Sequence, residues 1–84
     1  MTENGGCTMK AFILISLLER TERNVLSELK SYPEVKNAYI LFGEWDIIAE
    51  IEVSNPEELG TFVINSIRSR NDVRLTSSLI VAAK

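Results

Sequence analysis

The feature that most constrains the fold of this chain is the stretch from Tyr39 to Val53, in which two apolar segments flank Gly43 and Glu44. Glycine accepts a positive φ without steric cost, and a two-residue hairpin loop of type II′ needs a positive φ at its first central position. From Trp45 onward, apolar and polar residues largely alternate with the period of two that is typical of a β-strand. The stretch therefore predicts a β-hairpin with a tight turn at Gly43 and Glu44.

The segment from Lys10 to Leu18 predicts another strand, and it is apolar on both of its faces. Its residues form two rows: Phe12, Leu14 and Ser16 on one side, and Ala11, Ile13, Ile15 and Leu17 on the other. A sheet with one face in water shows clean alternation with polar residues, so this strand has to be covered on both sides.

A first helix is predicted after this strand. Thr21 is a candidate N-cap for a helix from Glu22 to Ser31, and the residue before Pro33 avoids the helical region, which ends the helix at Tyr32. Apolar residues recur at the helical spacing within it, so one of its faces is expected to pack against the sheet.

The second helix has a stronger start. Asn55 is a favoured N-cap, Pro56 suits the first helical position, and Glu58 has the spacing of a capping box. Apolar residues then recur at helical spacing, and the helix is predicted to end at Asn71.

The order of the predicted elements is β-α-β-β-α-β, which is the split βαβ or ferredoxin-like plan of an α+β fold. The four strands are assigned to residues 10–18, 35–42, 45–53 and 73–83, in one domain of residues 9–84 that follows a flexible polar tail of residues 1–8. Right-handed crossovers place both helices on one face of a four-stranded antiparallel sheet, with the first and third strands in the centre. The other face would be bare and apolar, which predicts a homodimer or larger ring packed sheet against sheet.

Composition and charge argue against several functions. The net charge of -3 and the isoelectric point near 4.9 disfavour direct binding to nucleic acid, which needs a basic surface. No apolar run approaches the roughly 20 residues of a membrane helix and no leader is present, so the protein is expected to be cytoplasmic. The chain has no histidine and one cysteine, Cys7, which argues against a disulfide, a metal site, a cofactor and most catalytic chemistry.

Four short segments occur together in a fixed order: residues 10–15, 35–39, 43–46 and 73–81. With this combination, the chain from Met9 onward resembles the effector-binding domain of the Lrp/AsnC family of leucine- and asparagine-responsive transcription regulators, also called the RAM domain. The Gly-x-x-Asp hairpin of that family matches Gly43 and Asp46. Its hydroxyl-bearing last strand matches the run of Thr76, Ser77 and Ser78.

The resemblance implies an amino-acid sensor rather than an enzyme. In the family, small amino acid effectors bind at interfaces between dimers, near the hairpin turn, and the dimers assemble into rings. Full-length members also carry an N-terminal helix-turn-helix, which eight polar residues do not form. We therefore expect a stand-alone sensing module without its own DNA-binding domain, which could also assemble with a full-length Lrp/AsnC-type regulator.

An amino acid ligand needs an acceptor for its ammonium group and donors for its carboxylate. The candidate ligand-binding residues are Gly43, Glu44, Trp45, Asp46, Thr76, Ser77 and Ser78. Asp46 could accept from the ammonium, or its carboxylate could instead bond the N–H groups of the turn. Likewise, Trp45 could stack on a ligand or pack in the core.

The sequence is also compatible with two other functions. A ligand-free oligomerisation module would use the same apolar sheet face. A small dimeric enzyme on the ferredoxin-like plan is also conceivable, with Arg20 and Arg23 near the loop after the first strand, but no glycine-rich phosphate cradle accompanies them.

Overall fold

Four strands and two helices make up the part of the chain that the computed structural model describes, residues 8–82. They are β1 (Met9–Leu17), α1 (Glu22–Lys30), β2 (Val35–Ile40), β3 (Ile47–Val53), α2 (Pro56–Val63) and β4 (Val73–Ile80), and a π-helical turn (Ile64–Arg68) continues α2. The predicted tail of residues 1–8 lies outside the described residues except for its last residue.

The strands form one antiparallel sheet in the order β2-β3-β1-β4, so β1 and β3 are central as predicted. On β1, Ile13 lies opposite Ala49 of β3 and Ser78 of β4, which fixes the register across three strands. This arrangement of four strands and two helices confirms the predicted ferredoxin-like fold.

The hydrophobic core lies between the helices and one face of the sheet. The second row of β1 is buried together with the alternate residues of β3, namely Ala11, Ile13, Ile15 and Leu17 with Ile47, Ala49, Ile51 and Val53. The helices contribute Val25, Leu29, Leu59, Phe62, Val63 and Ile67. The alternate residues of the strands and the helically spaced apolar residues of the helices therefore pack together in a single cluster.

The start of α2 follows from its local sequence. The Glu58 backbone N–H donates to Asn55 Oδ1 at 2.8 Å, as expected of an N-cap, and Pro56 occupies the first turn. The Glu58 carboxylate accepts from the Ser54 N–H at 2.9 Å, one residue before the N-cap. Two backbone donors at the helix entry are thus satisfied.

The first helix differs from the prediction in its cap. Thr21 occupies the N-cap position of α1, but its side chain makes no capping hydrogen bond. Its hydroxyl donates instead to Asp72 Oδ2 at 2.8 Å, in the loop before β4. A tertiary contact therefore replaces the predicted local one.

The predicted two-residue turn at Gly43 and Glu44 is wrong. Strand β2 ends at Ile40 and β3 begins at Ile47, so residues 41–46 form the connection, which we call the β2–β3 loop. The Asp46 N–H donates to the Ile15 carbonyl of β1 at 2.8 Å, and the Asp46 carbonyl accepts from the Leu41 N–H, so four residues rather than two lie between the last bonded pair of the hairpin. Strand β4 also ends before the predicted boundary, at Ile80, and α2 passes into the π-helical turn well before Asn71.

The sheet face opposite the helices, which we call the open face, is not covered by any element of residues 8–82. Tyr39, Leu75 and Leu79 are exposed by 58%, 51% and 51%. At one end of this face Lys10 Nζ lies 3.1 Å from Glu50 Oε2, and the Asn37 amide donates to Glu50 Oε1 at 2.9 Å. The hydrogen bond from Asn37 is the main cause of a lowered pKa of Glu50, and the hydrogen bond from Lys10 is the second cause.

Within the described residues, no helix has the length and apolar character that would let it cross a membrane.

Candidate functional site

The β2–β3 loop is closed by backbone contacts. The Leu41 N–H donates to the Asp46 carbonyl at 2.9 Å, which joins the two ends of the loop. Gly43 has a φ of +137°, a conformation that residues with a Cβ rarely adopt. A Cβ added to Gly43 would meet no atom within 4 Å, so the backbone conformation alone accounts for glycine there.

Asp46 links this loop to the central strand. Its Oδ2 accepts a hydrogen bond from the Leu17 N–H at 2.7 Å, in addition to the contact between its own N–H and Ile15. The carboxylate therefore does not bond N–H groups of the turn, which corrects that interpretation of its structural role. One carboxylate oxygen is committed to β1, and Oδ1 has no hydrogen-bond partner among the described contacts.

The predicted loop residues are divided between two cavities. Gly43 and Asp46 line a cavity of about 380 Å³ on the side of the loop that faces Leu17 and Leu18 at the end of β1. Phe42 lines the same cavity and is fully exposed.

Glu44 and Trp45 line a different cavity, of about 370 Å³, together with Ser16, Arg74 and Leu75. Because Ser16 belongs to the row of β1 that points away from the core, this cavity lies at the end of the open face. We call it the open-face cleft.

The three hydroxyl residues of β4 alternate between the two faces of the sheet. Thr76 lies opposite Ile15, whose side chain is buried under the helices, and Ser77 lies opposite Leu14 on the open face. Thr76 lines a third cavity of about 280 Å³, with Arg68 and Arg74 among its neighbours. Ser77 and Ser78 line none of these three cavities. The seven predicted site residues thus do not converge on one pocket of a single chain.

Arg74 and Ser16 adjoin the predicted site, although sequence reasoning did not select them. The Arg74 Nη2 donates to Ser16 Oγ at 3.2 Å, and Ser16 is a buried polar residue with only 4% of its surface exposed. In the sequence, Arg74 is an arginine between two apolar residues of a strand. This pattern does not indicate the direction in which the arginine side chain points.

A network of ionic hydrogen bonds joins the loops at the same end of the sheet. Arg70 Nε donates to Asp72 Oδ1 at 3.0 Å, and a second Arg70 nitrogen contacts Glu28 of α1. The hydrogen bond from Arg70 lowers the pKa of Asp72, and the hydrogen bond from Thr21 lowers it further. The hydrogen bond between Arg70 and Asp72 also raises the pKa of Arg70. These groups are paired with one another, so the network ties α1 to the start of β4.

Within residues 8–82, no three His, Cys, Asp or Glu side chains are grouped in a way that could hold a metal ion.

Several known proteins that are similar to this chain are named transcriptional regulators. Residues 10–84 match the family model described as the Lrp/AsnC ligand binding domain. The HTH-type transcriptional regulator FL11 of Pyrococcus horikoshii is 36% identical over 76 residues, which are 90% of this chain and 50% of FL11. The chain spans only 40% to 50% of the length of such curated relatives.

Solved structures agree with this match. The crystal structure of FFRP-DM1 is similar with a TM-score of 0.82 and 36% identity, over 87% of this chain and 97% of that chain. The structure of E. coli AsnC is similar with a TM-score of 0.83 and 27% identity, over 90% of this chain and 52% of that chain. From the family match and these structures together, the chain belongs to the Lrp/AsnC ligand-binding domain family.

Proposed function

We propose that this domain senses a small amino acid and acts without catalysis, by changing its own assembly or that of a partner regulator. The observation that carries the proposal is the match to the Lrp/AsnC ligand-binding domain over residues 10–84. Relatives such as FL11 are named transcriptional regulators, which supports a regulatory rather than an enzymatic role.

The β2–β3 loop is the proposed binding region. The free Oδ1 of Asp46 can accept from an ammonium group, and backbone N–H groups around Gly43 can donate to a carboxylate. The other proposed ligand-binding residues are Glu44 and Trp45 in the open-face cleft, Thr76 in the third cavity, and Ser77 and Ser78 on β4, and a second subunit would be needed to bring them together.

The open face is the proposed dimer surface. Leu14 and Phe12 of the central strand lie on it beside exposed Tyr39, Leu75 and Leu79. A stable interface buries about 1,200–2,000 Å² in total, and covering this face would also add stability to a small domain. Because the β2–β3 loop borders the open face, an effector bound there would lie close to a junction between subunits of a homodimer or a ring of dimers.

An effector acts only through a difference in its affinity for two assembly states. We infer that the amino acid favours one oligomer over another, and that a DNA-binding relative of the same family is a further partner. The acidic net charge of -3 supports an indirect action on DNA through such a partner.

A thermal-shift titration against the twenty L-amino acids, each tested alone, checks the proposal. A ligand at ten times its Kd stabilises the native state by about 1.4 kcal/mol, which raises the Tm of a domain of this size by roughly 5–10 °C. We expect a dose-dependent rise with one amino acid or a few related ones. If none of the twenty raises the Tm, the domain is a ligand-free oligomerisation module.

A further inference from the structure

The four residues between β1 and α1, which we call the strap (residues 18–21), are held by hydrogen bonds rather than by burial. The side chains of Leu18, Glu19 and Arg20 are exposed, and that of Thr21 is half-buried. A segment with few buried apolar contacts opens locally at a low cost in free energy. The position of the strap therefore depends on the hydrogen bonds on its two sides.

At the junction of β1 and the strap, two adjacent N–H groups bond to opposite sides. The Leu17 N–H donates to Asp46 Oδ2 at 2.7 Å. The Leu18 N–H donates to the Asp72 carbonyl at 2.8 Å. Asp46 precedes β3 and Asp72 precedes β4, and these two strands flank β1 in the sheet. The junction is thus fixed between the β2–β3 loop and the loop before β4.

The carboxylate of Asp72 connects the strap to α1. Its Oδ2 accepts from the Thr21 hydroxyl at 2.8 Å and from Arg70 Nη2 at 3.1 Å, while its Oδ1 accepts from Arg70 Nε at 3.0 Å. Arg70 also contacts the Glu28 carboxylate on α1. A continuous series of hydrogen bonds and adjacent residues therefore connects Asp46, through the strap, with α1.

We propose that the strap couples the β2–β3 loop to the network of Arg70, Asp72 and Glu28, so that each stabilises the other. When the Leu17 N–H loses its acceptor, the strap opens more often, and its bonds to Asp72 break in the same event. The coupling is reciprocal, since a free energy of interaction between two sites acts equally in both directions. An effector that engages Asp46 would thereby change the stability of α1, and this consequence alone rests on the proposed function.

Amide hydrogen exchange, measured by NMR on the unliganded full chain, tests the coupling. Asp46→Ala removes the acceptor of the Leu17 N–H. The exchange rate of the Leu18 N–H is the readout in this variant, because its own acceptor, the Asp72 carbonyl, is unchanged.

Thr21→Val perturbs the strap from the other side. It removes the hydroxyl that donates to Asp72 and keeps a β-branched side chain. It removes no helix cap, because the Thr21 side chain makes no capping hydrogen bond. The readout in this variant is the exchange rate of the Leu17 N–H, whose acceptor on Asp46 is intact.

Glu58→Ala is the matched control, because the Glu58 carboxylate also accepts a backbone hydrogen bond, from the Ser54 N–H at 2.9 Å. This contact lies at the opposite end of the sheet, where Val53 pairs with Met9 at the beginning of β1. In the two strap variants, the exchange rate of the Ser54 N–H serves as the reference that detects a general loss of stability.

We expect Asp46→Ala to speed the exchange of the Leu18 N–H by about fivefold or more, the factor that corresponds to the loss of one hydrogen bond. Thr21→Val should speed the exchange of the Leu17 N–H by about threefold or more, because the neutral hydroxyl is one of several groups that bind Asp72. Glu58→Ala should leave both of these exchange rates at their wild-type values and speed that of the Ser54 N–H.

Two results would overturn the coupling. A wild-type exchange rate of the Leu18 N–H in Asp46→Ala, or of the Leu17 N–H in Thr21→Val, would show that the two sides of the strap open independently. An equal acceleration of the Ser54 N–H would show a general loss of stability instead. If Asp46→Ala does not fold, Thr21→Val decides alone. Because no ligand is added, either result leaves the proposed amino-acid sensing intact, and a failed thermal-shift titration leaves the coupling intact.

Discussion

At the scale of single residues, Gly43 is the position where backbone conformation is most restrictive. Its φ of +137° lies in a region that is costly for other residues, and the surrounding space is empty. Gly43→Ala should therefore lower the free energy of unfolding by about 1–3 kcal/mol through backbone strain alone. Urea unfolding followed by circular dichroism measures this loss.

Gly60→Ala is the matched control, because Gly60 lies within α2 and a Cβ there also meets no atom within 4 Å. It should raise the free energy of unfolding by about 0.5–1 kcal/mol, since alanine is the better helix former. Equal effects of the two substitutions would show that the φ of Gly43 is unimportant.

Asp46 has a structural role that is separable from ligand binding. Asp46→Ala leaves the buried Leu17 N–H without its acceptor and should lower the free energy of unfolding by about 1–3 kcal/mol. Asp46→Asn retains an oxygen acceptor at the same place and should cost less. If the asparagine variant is as unstable as the alanine variant, the negative charge rather than the hydrogen bond holds the loop to β1.

At the scale of secondary structure, the elements with local determinants were predictable. The start of α2 follows from Asn55, Pro56 and Glu58, which act within one turn of helix. The two rows of β1 follow from alternation, and the order of the elements is sufficient for the ferredoxin-like topology.

The features that escaped prediction depend on contacts between distant residues. Asp46, at the end of the β2–β3 loop, is held by hydrogen bonds to Ile15 and Leu17, about thirty residues earlier in the chain. The same holds for Thr21, whose hydroxyl bonds Asp72 instead of capping α1. The bulge that directs Arg74 to the open face arises in the pairing of β4 with β1, so no local pattern in β4 reveals it.

The ion pair between Arg70 and Asp72 stabilises the loop before β4 in a pH-dependent way. The pKa of Asp72 is lowered in the native state below its usual value of about 3.9, so the unfolded chain binds the proton more readily. Its stabilising contribution is therefore complete above about pH 5 and is lost as the pH falls through 3.9 toward the lower native pKa.

Asp72→Asn should accordingly lower the free energy of unfolding by about 1 kcal/mol at neutral pH, and the difference from the wild type should shrink on acidification. Urea unfolding at a series of pH values from 7 down to about 3 measures this difference. Arg70→Gln should produce the same trend, because it removes the main cause of the lowered pKa. A difference that does not vary with pH would mean that Asp72 acts through its shape and not its charge.

At the scale of the whole molecule, the apolar open face is the feature that a monomer leaves without a partner. Leu14 lies at its centre, on β1 between Ile48 and Ser77. Leu14→Glu would place an unpaired charge in each half of a sheet-to-sheet dimer and should make the protein monomeric at micromolar concentration. Sedimentation equilibrium detects this change.

Ile64→Glu provides the comparison, because Ile64 is 57% exposed on the helical side of the domain. That variant should retain the oligomeric state of the wild type. If both substitutions dissociate the protein equally, or if neither does, the open face is not the dimer surface.

The proposed function requires that an amino acid binds this domain and changes its assembly. Sedimentation velocity, run with and without each amino acid that raises the Tm, tests both parts together. We expect a dimer or a larger species in the absence of ligand, and a dose-dependent change in the distribution of oligomers on its addition. A monomer under all conditions, or a distribution that is unchanged at a saturating concentration of a bound amino acid, would contradict the claim.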